Sequence, residues 1–433
     1  MEHGVVIGLL GLGTVGSGVI QIVNEHQQEL KHQVGCGITI GKVLVRDKDK
    51  YRGSQIDQGQ LTVHAEEVLN DPDIDVVIEV MGGVQQAREY ILQALNNKKH
   101  VVTANKDLMA LYGAELLKVA ADNGCDLFYE ASVAGGIPVI RGVSEGLSAD
   151  RITQMMGIVN GTTNYILTKM EQDGRDYEEV LKEAQELGFA ESDPTSDVEG
   201  LDAARKMAIL ATLGFSMNVD LEDVIVRGIT TVTTEDMKYC KQLGYTLKLI
   251  GLAKRTEGRV ELTVQPMLLP NSHPLAAVQD EYNAVYVYGE AVGETMFYGP
   301  GAGSLPTATA VVSDLVTVVK NLRLGVSGRT IHSPLHIKEL KTDEEVDSKY
   351  FLRLQVRDET GTFDALTSLF AKEDVSFEKL LQWPLDEEEP VAEVVIITHT
   401  INRAVYERIY KELENMDVVL DVKSSYRVEG GQA

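Results

Sequence analysis

The chain has 433 residues, 44% hydrophobic and 24% charged, with a formal net charge of −26. That length exceeds one ordinary core, so two or three domains are expected, and the excess acid argues against nucleic acid or an anionic membrane surface as partner. Cys36, Cys125 and Cys240 are far apart with no metal-ligand spacing, which points to a reducing, cytoplasmic setting.

The opening MEHGVVIGLLGLGTVGSGVI is apolar, but it has no basic flank and is broken by glycines. It reads as a strand and turn, neither a signal peptide nor a membrane span. The predicted strand over 5–10 runs into Gly11-Leu-Gly13-Thr14-Val15-Gly16, and a helix is predicted over 17–30. Strand, G-x-G-x-x-G and helix is the context in which glycine-rich backbone cradles a dinucleotide pyrophosphate. A second strand over 38–45 ends in Arg46-Asp47. Arginine there suits the 2′-phosphate of NADP, Asp47 keeps NAD possible, and a solvated loop charge is the plain alternative. Alternation continues with strands over 75–80, 100–103 and 126–130 and helices over 85–96 and 107–123, so a parallel sheet with helices on both faces is expected.

Thr103-Ala-Asn-Lys106 directly follows a strand, where open α/β sheets place ligands, although a surface lysine at a helix start is the alternative. Glu130-Ala-Ser-Val133-Ala-Gly135-Gly-Ile137 joins a carboxylate to a glycine-rich loop. Carbonyls and one carboxylate can hold a hard cation, yet on residues alone the stretch reads first as an ordinary domain-crossing loop. Beyond 137 the rhythm loosens into helices opening at Gly161 and spanning 177–187, then antiparallel strands near 246–254, 259–268 and 283–289 and an apolar helix over 307–322.

The stretch GFAESDPTSDVEGLDAARK (188–206) sets Glu191, Asp193, Asp197, Glu199 and Asp202 ahead of Lys206. Ser196-x-x-Glu199 fits a capping box, and Asp202–Lys206 at i,i+4 fits a surface ion pair. Against that, Leu201, Ala204, Met207, Ile209, Leu210 and Leu213 make the helix apolar on most sides. Asp202 and Lys206 are therefore expected to be partly buried, where a lysine needs a partner and becomes a usable acid. Glu191 and Asp193 lie outside the helix, so a functional pocket is the preferred reading. After a polar linker over 326–349, the strand and helix order from 350 is βαββαβ.

Taken together, GLGTVGSGV, TANK (103–106), EASVAGGIP (130–138), NGTTNYI (160–166), the acidic stretch and YGPGAG (298–303) resemble homoserine dehydrogenases of the long form that ends in an ACT domain. The resemblance implies a Rossmann NAD(P)-binding domain over 1–136 with helix 304–325 packing back on it, and an α+β catalytic and dimerisation domain over 137–303. A βαββαβ ACT regulatory domain follows over 350–433. The implied activity is NAD(P)-dependent interconversion of L-aspartate 4-semialdehyde and L-homoserine, serving threonine and methionine biosynthesis. Lys206 and Lys106 would stand at the reacting oxygen, Asp202 would orient Lys206 or a water, and Glu191 and Asp197 would meet the substrate. The coenzyme, NADP(H) before NAD(H), would meet Gly11, Gly13, Thr14, Val15, Gly16, Arg46, Thr103, Lys106, Gly188 and Gly303. A monovalent cation, Na+ or K+, would sit on Glu130 and the main chain of Val133, Gly135 and Ile137. L-threonine is the implied effector and a homodimer or homotetramer the implied assembly. Thr360 stands where the family usually has proline, and Thr362-Phe363 replace a smaller apolar pair, which leaves a ligand-free dimerisation module as the alternative for the ACT domain. A dehydrogenase acting on another amino-acid carbonyl and a non-catalytic amino-acid sensor are the competing whole-chain readings; Lys106, Asp202 and Lys206 all being present disfavours the sensor.

Overall fold

Val5–Leu10 forms the first strand, β1, and its burial explains why the run is apolar throughout. The computed structural model describes residues 4–50, 56–328, 334–385 and 390–430; linker residues 329–333 lie outside them. The chain divides into two compact units, Met1–Met155, Ala204–Val224 and Asn283–Lys338 in the first and Met156–Ala203, Ile225–Tyr282 and Glu339–Ala433 in the second.

In the first unit β1 is followed by α1 (Thr14–Glu25), α2 (Gln27–Val34), β2 (Ile38–Leu44), β3 (Leu61–Thr62), α3 (Glu66–Leu69), β4 (Val76–Glu79), α4 (Gln85–Asn96), β5 (His100–Thr103), α5 (Lys106–Asp122) and β6 (Leu127–Phe128). The strands pair in parallel in the order β3-β2-β1-β4-β5-β6. That is the doubly wound dinucleotide-binding order, whose ligand crevice lies at the carboxyl ends of β1 and β4. The helix expected over 17–30 is two helices: the apolar spacing lapses after Val23, the chain turns at His26, and Leu30 and Val34 resume the buried face. The strand expected over 126–130 stops at Phe128, because Glu130–Ser132 coils into a 3-10 turn.

Beyond β6 come the short α6 (Val139–Arg141) and β7 (Ile152–Ile158). The second unit then carries α7 (Gly161–Asp173), α8 (Tyr177–Glu186) and α9 (Thr195–Val198). Helix α10 (Leu201–Phe215) has its first three residues in the second unit and the rest in the first. The second unit continues with β8 (Ile225–Val226), α11 (Thr234–Gln242) and the antiparallel hairpin of β9 (Tyr245–Thr256) and β10 (Arg259–Pro270). Next, β11 (Tyr282–Gly289), β12 (Gly293–Pro300) and α12 (Ser304–Leu324) bring the chain back to the first unit. Helix α12 crosses α1 closely: a Cβ on Gly18 would lie 2.7 Å from the Ser304 carbonyl oxygen, and the Ser304 hydroxyl donates to the Thr14 carbonyl at 2.6 Å. Val19, Val23, Ala308, Val311, Leu315 and Val318 close the core against Ile7, Leu9, Val76 and Ile78.

The C-terminal module comprises β13 (Asp347–Arg357), α13 (Thr362–Lys372), β14 (Phe377–Pro384), β15 (Val391–Thr398), β16 (Ile401–Asn402), α14 (Arg403–Glu414) and β17 (Val419–Val428). Its antiparallel sheet runs β17-β13-β15-β14, and Leu366, Phe370, Ile409 and Leu413 of the two helices cover Leu352, Leu354, Val394 and Ile396. Thr362, the residue that departs from the expected small apolar type, is buried and donates its hydroxyl to the Arg357 carbonyl at 2.8 Å. Strand β17 also pairs in parallel with β10, Met267 with Arg427 and Leu268 with Val428.

Around that junction lies a buried polar network. Asp236 of α11 accepts from Arg353 Nε at 2.8 Å, from Ser424 Oγ at 2.5 Å and from Tyr426 Oη at 2.9 Å. Arg353 Nη1 reaches Glu393 at 2.9 Å, Tyr239 also donates to Glu393, and Arg427 pairs with Glu261. Removing the guanidinium leaves two buried carboxylates without their cation, which costs about 3–5 kcal/mol. The sole tryptophan, Trp383, stacks 5.0 Å from Tyr239 and reports on this contact. Arg353→Met is expected to lower the unfolding free energy read from the urea transition of Trp383 fluorescence by that amount; an unmoved midpoint would refute the role given to Arg353.

Candidate active site

The glycine-rich turn is built by close approaches. Gly11 has φ +103, and a Cβ there would lie 2.9 Å from the Val80 carbonyl oxygen at the end of β4. A Cβ on Gly16 would strike the Gly11 carbonyl oxygen at 2.3 Å, whereas Gly13 meets nothing within 4 Å. Helix α1 starts with no side-chain cap and no acid in its first turn. Its free N–H groups and positive dipole end thus face open space, a ready site for a pyrophosphate.

Next to this turn lies a cleft of about 320 Å³, lined among others by Val15, Lys106, Gly135, Lys206 and Gly301. Lys106 opens α5, and Asn105 caps that helix by accepting from Leu108 N at 3.1 Å while donating to the Gly83 carbonyl at 2.7 Å. Lys206 comes from α10 and is 9% exposed, in keeping with the expected burial. The two helices are braced beside the lysines: Arg205 Nε meets Asp107 Oδ1 at 2.8 Å. Two lysines from different helices thus line one cavity, each next in sequence to a residue that braces its helix. Such an arrangement can stabilise an oxyanion and exchange a proton with it.

Glu79 also lines the cleft, and the sequence reading missed it. It is fully buried at the end of β4 and accepts from Thr103 Oγ1 at 2.6 Å, Met81 N at 2.9 Å and Gly82 N at 3.2 Å. Burial raises its pKa. The signal was a carboxylate closing an apolar parallel strand at the ligand edge. Thr103 is correspondingly committed to Glu79, with its oxygen also accepting from Asn105 N at 3.0 Å. Arg46 is exposed just past β2. Gly303, at φ +118, forms the N-cap of α12.

Behind the cleft Glu130 is 4% exposed, with carboxylate oxygens accepting from Ile140 N at 2.7 Å and Arg141 N at 2.9 Å. Its own N–H donates to Asp314, which Arg141 also holds at 2.8 Å. Burial raises the Glu130 pKa and lifts that of Asp314 to about 7. The loop between passes through left-handed Ala134 and Gly135, both at φ +53, and a Cβ on Gly135 would lie 2.4 Å from the Gly301 carbonyl oxygen. Carboxylate and main-chain carbonyl oxygens are the ligands that hard cations take. No group of three or more His, Cys, Asp or Glu side chains placed to hold a metal occurs among the described residues.

The acidic stretch belongs to the second unit, except for Ala204, Arg205 and Lys206. Asn160, the N-cap of α7, accepts from Thr163 N at 2.9 Å and spends its amide on two acids, Asp197 at 2.7 Å and Asp202 at 2.9 Å. Asp202 is 2% exposed, so the amide supplies donors where water cannot. In the sequence Asn160 stands out only as part of the motif NGTTNYI. Gly188 takes φ +81 at the end of α8, and Glu191 is exposed. Two expectations change. Ser196 is not at a helix start, because Pro194 is the N-cap of α9, Ser196 lies inside it and Glu199 ends it. Asp193 has a local role after all: it accepts from Thr195 Oγ1 at 2.6 Å, a bond that lowers its pKa.

Comparison with known proteins agrees with this geometry. The profile for the homoserine dehydrogenase NAD-binding domain matches residues 11–130, that for homoserine dehydrogenase 138–316, and that for the ACT domain 350–417. Homoserine dehydrogenase of Bacillus subtilis is 62% identical over 98% of this chain and 98% of its own. That of Mycobacterium bovis is 42% identical over 99% and 98%. Among solved structures, homoserine dehydrogenase from Thiobacillus denitrificans superposes with a TM-score of 0.92 at 39% identity, over 99% of this chain and 98% of its own. The Staphylococcus aureus enzyme gives 0.80 at 41% over 99% and 100%. With a doubly wound nucleotide sheet, two lysines on one cleft and relatives matched end to end, the chain belongs to the homoserine dehydrogenase family, in the form that carries a C-terminal ACT domain.

Proposed function

We propose that the protein interconverts L-homoserine and L-aspartate 4-semialdehyde, in the service of threonine and methionine biosynthesis. The observation that carries the reading is that Lys106 and Lys206, from separate helices, line one cleft with Val15 of the glycine-rich turn. A nicotinamide dinucleotide, when bound, supplies or accepts the hydride. The chain's residues do the rest. In the reducing direction the Lys206 ammonium gives its proton to the carbonyl oxygen as negative charge develops there, and Lys106 holds the same oxygen electrostatically. In the oxidising direction the neutral Lys206 amine receives the hydroxyl proton. Asp202, one turn before Lys206 in sequence, orients it, while Glu191 and Asp197 recognise the substrate ammonium.

Gly11, Gly13, Thr14, Val15 and Gly16 hold the pyrophosphate, with Gly188 and Gly303 assigned to the same coenzyme. Thr103 acts by fixing Glu79 and Asn105, through the bonds it makes to each. Exposed Arg46 favours NADP(H) over NAD(H), since a guanidinium pairs with a 2′-phosphate. Glu130 with the carbonyls of Val133, Gly135 and Ile137 would hold Na+ or K+, whose charge would offset the burial of that carboxylate. Assembly as a homodimer or homotetramer is supported by β12, where Met296 and Tyr298 are 40% and 53% exposed. The C-terminal module is assigned to feedback by L-threonine.

Lys206→Ala is expected to lower kcat by on the order of a hundredfold or more, with NADPH fluorescence titration showing retained coenzyme binding; undiminished turnover would remove Lys206 from the mechanism. Arg46→Asp is expected to cut the NADPH-to-NADH preference in kcat/KM by roughly tenfold, and an unaltered ratio would reduce Arg46 to a loop charge. L-threonine is expected to depress homoserine oxidation by the full-length protein. A truncated chain is unsuitable for that comparison, because losing β13 and β17 takes Arg353 and Tyr426 from Asp236 and Arg427 from Glu261. Insensitivity to threonine would end the regulatory assignment.

A further inference from the structure

The second unit contains a cleft of about 370 Å³ lined by Glu199, Leu201, Val226, Arg227, Thr230 and Thr231. Its frame is built tightly. Ile229 N donates to the Val198 carbonyl at 2.8 Å and Arg227 N to the Val264 carbonyl at 2.8 Å. Between them Gly228 is indispensable, since a Cβ there would lie 2.3 Å from the Val198 carbonyl oxygen and 2.5 Å from Glu199 Cα. A glutamate and an arginine therefore line one cavity from segments locked side by side. Yet neither forms an ion pair among the described residues. Glu199 Oε1 accepts only from the Thr230 hydroxyl, at a long 3.3 Å. Arg227 gives one amino group to the Ser425 carbonyl at 2.7 Å and lies 5.5 Å over the Tyr426 ring.

A carboxylate and a guanidinium that share a cleft without meeting leave room for a molecule carrying the complementary pair. We infer that this cleft binds a small zwitterionic L-α-amino acid, its ammonium on Glu199 and its carboxylate on Arg227. Arginine's planar fork suits the carboxylate, the Thr230 and Thr231 hydroxyls add polar partners, and Leu201 and Val226 give the side chain an apolar wall. The position gives the site consequence. Glu199 lies between Asp197 and Asp202, the acids held by Asn160, and Arg227 is fastened to β17 of the C-terminal module. An occupant would link those two segments. This regulatory meaning rests on the dehydrogenase reading above; the binding itself does not.

Isothermal titration of the full-length protein, without nicotinamide coenzyme, tests it with L-threonine, L-methionine, L-isoleucine, L-lysine and L-homoserine in separate runs. At least one is expected to bind, and its affinity is expected to fall about tenfold or more in both Glu199→Gln and Arg227→Lys. The N-acetyl and carboxamide derivatives of that amino acid are expected to lose binding to the unaltered protein. Glu199→Gln is isosteric at an exposed position, so folding is preserved; Leu201→Trp, which fills the cleft, is the second variant and is expected to abolish the signal. No binding by any of the five would overturn the inference. So would the finding that every amino acid that binds does so undiminished by these substitutions, as ligands seated wholly within residues 350–433 or in the cleft of Lys106 and Lys206 would. Turnover is not the readout, so a failed titration leaves the dehydrogenase reading standing, and a failed Lys206 experiment leaves this site standing.

Discussion

A charge taken out of water must be given partners, and that constraint organises each part of this molecule. Asp202 is nearly inaccessible and is met by the Asn160 amide. Asp236 is fully buried and gathers a guanidinium and two hydroxyls from the C-terminal module, in addition to its own turn at Thr233. Glu130 collects two main-chain N–H groups, and Glu79 collects a hydroxyl and two more. In each case the partner comes from a segment that the fold has to deliver, so polar satisfaction and correct topology demand one another. An apolar core tolerates rearrangement more readily than such networks do.

The same constraint explains how the site is presented. A lysine on a solvated loop is a mobile, hydrated point charge. Lys206 is instead withdrawn on a helix whose neighbours Ala204, Met207 and Ala208 are buried, and Lys106 starts a helix capped by Asn105. The Arg205–Asp107 contact then ties one helix to the other at adjacent residues. As a half-exposed ion pair it adds little stability. Its value lies in geometry, because a small change in helix spacing would move the two lysines relative to each other.

Much of this could be read from the chain. Alternating apolar runs and helical segments dictated the parallel sheet, and the glycines at 11, 13 and 16 located its ligand edge, since their spacing reflects local backbone geometry. The burial of Asp202 and Lys206 followed from the apolar residues around them. What stayed hidden depended on distant pairing. Nothing near Asn160 announces that its amide will bridge Asp197 and Asp202, 37 and 42 positions further on. The turn of Asp193 with Thr195, just ahead of α9, is a local side-chain bond that the helical pattern did not reveal. The break at His26 was missed because a helical composition persists across it, although the buried face does not.

The C-terminal module illustrates the limit most clearly. Its βαββαβ order is local and legible, and from sequence it looks like an appendage behind a polar linker. In the fold its last strand hydrogen-bonds to β10, and its Arg353, Ser424 and Tyr426 complete the coordination of Asp236. A module joined only by a linker can change its own state without consequence for the rest of the chain. One whose buried residues satisfy a carboxylate on α11 cannot, because any shift of β17 that lengthens those bonds leaves a desolvated charge exposed to its own burial penalty. The stability of α11 and the position of β17 are therefore one equilibrium, and a ligand that prefers one position of β17 must act on both.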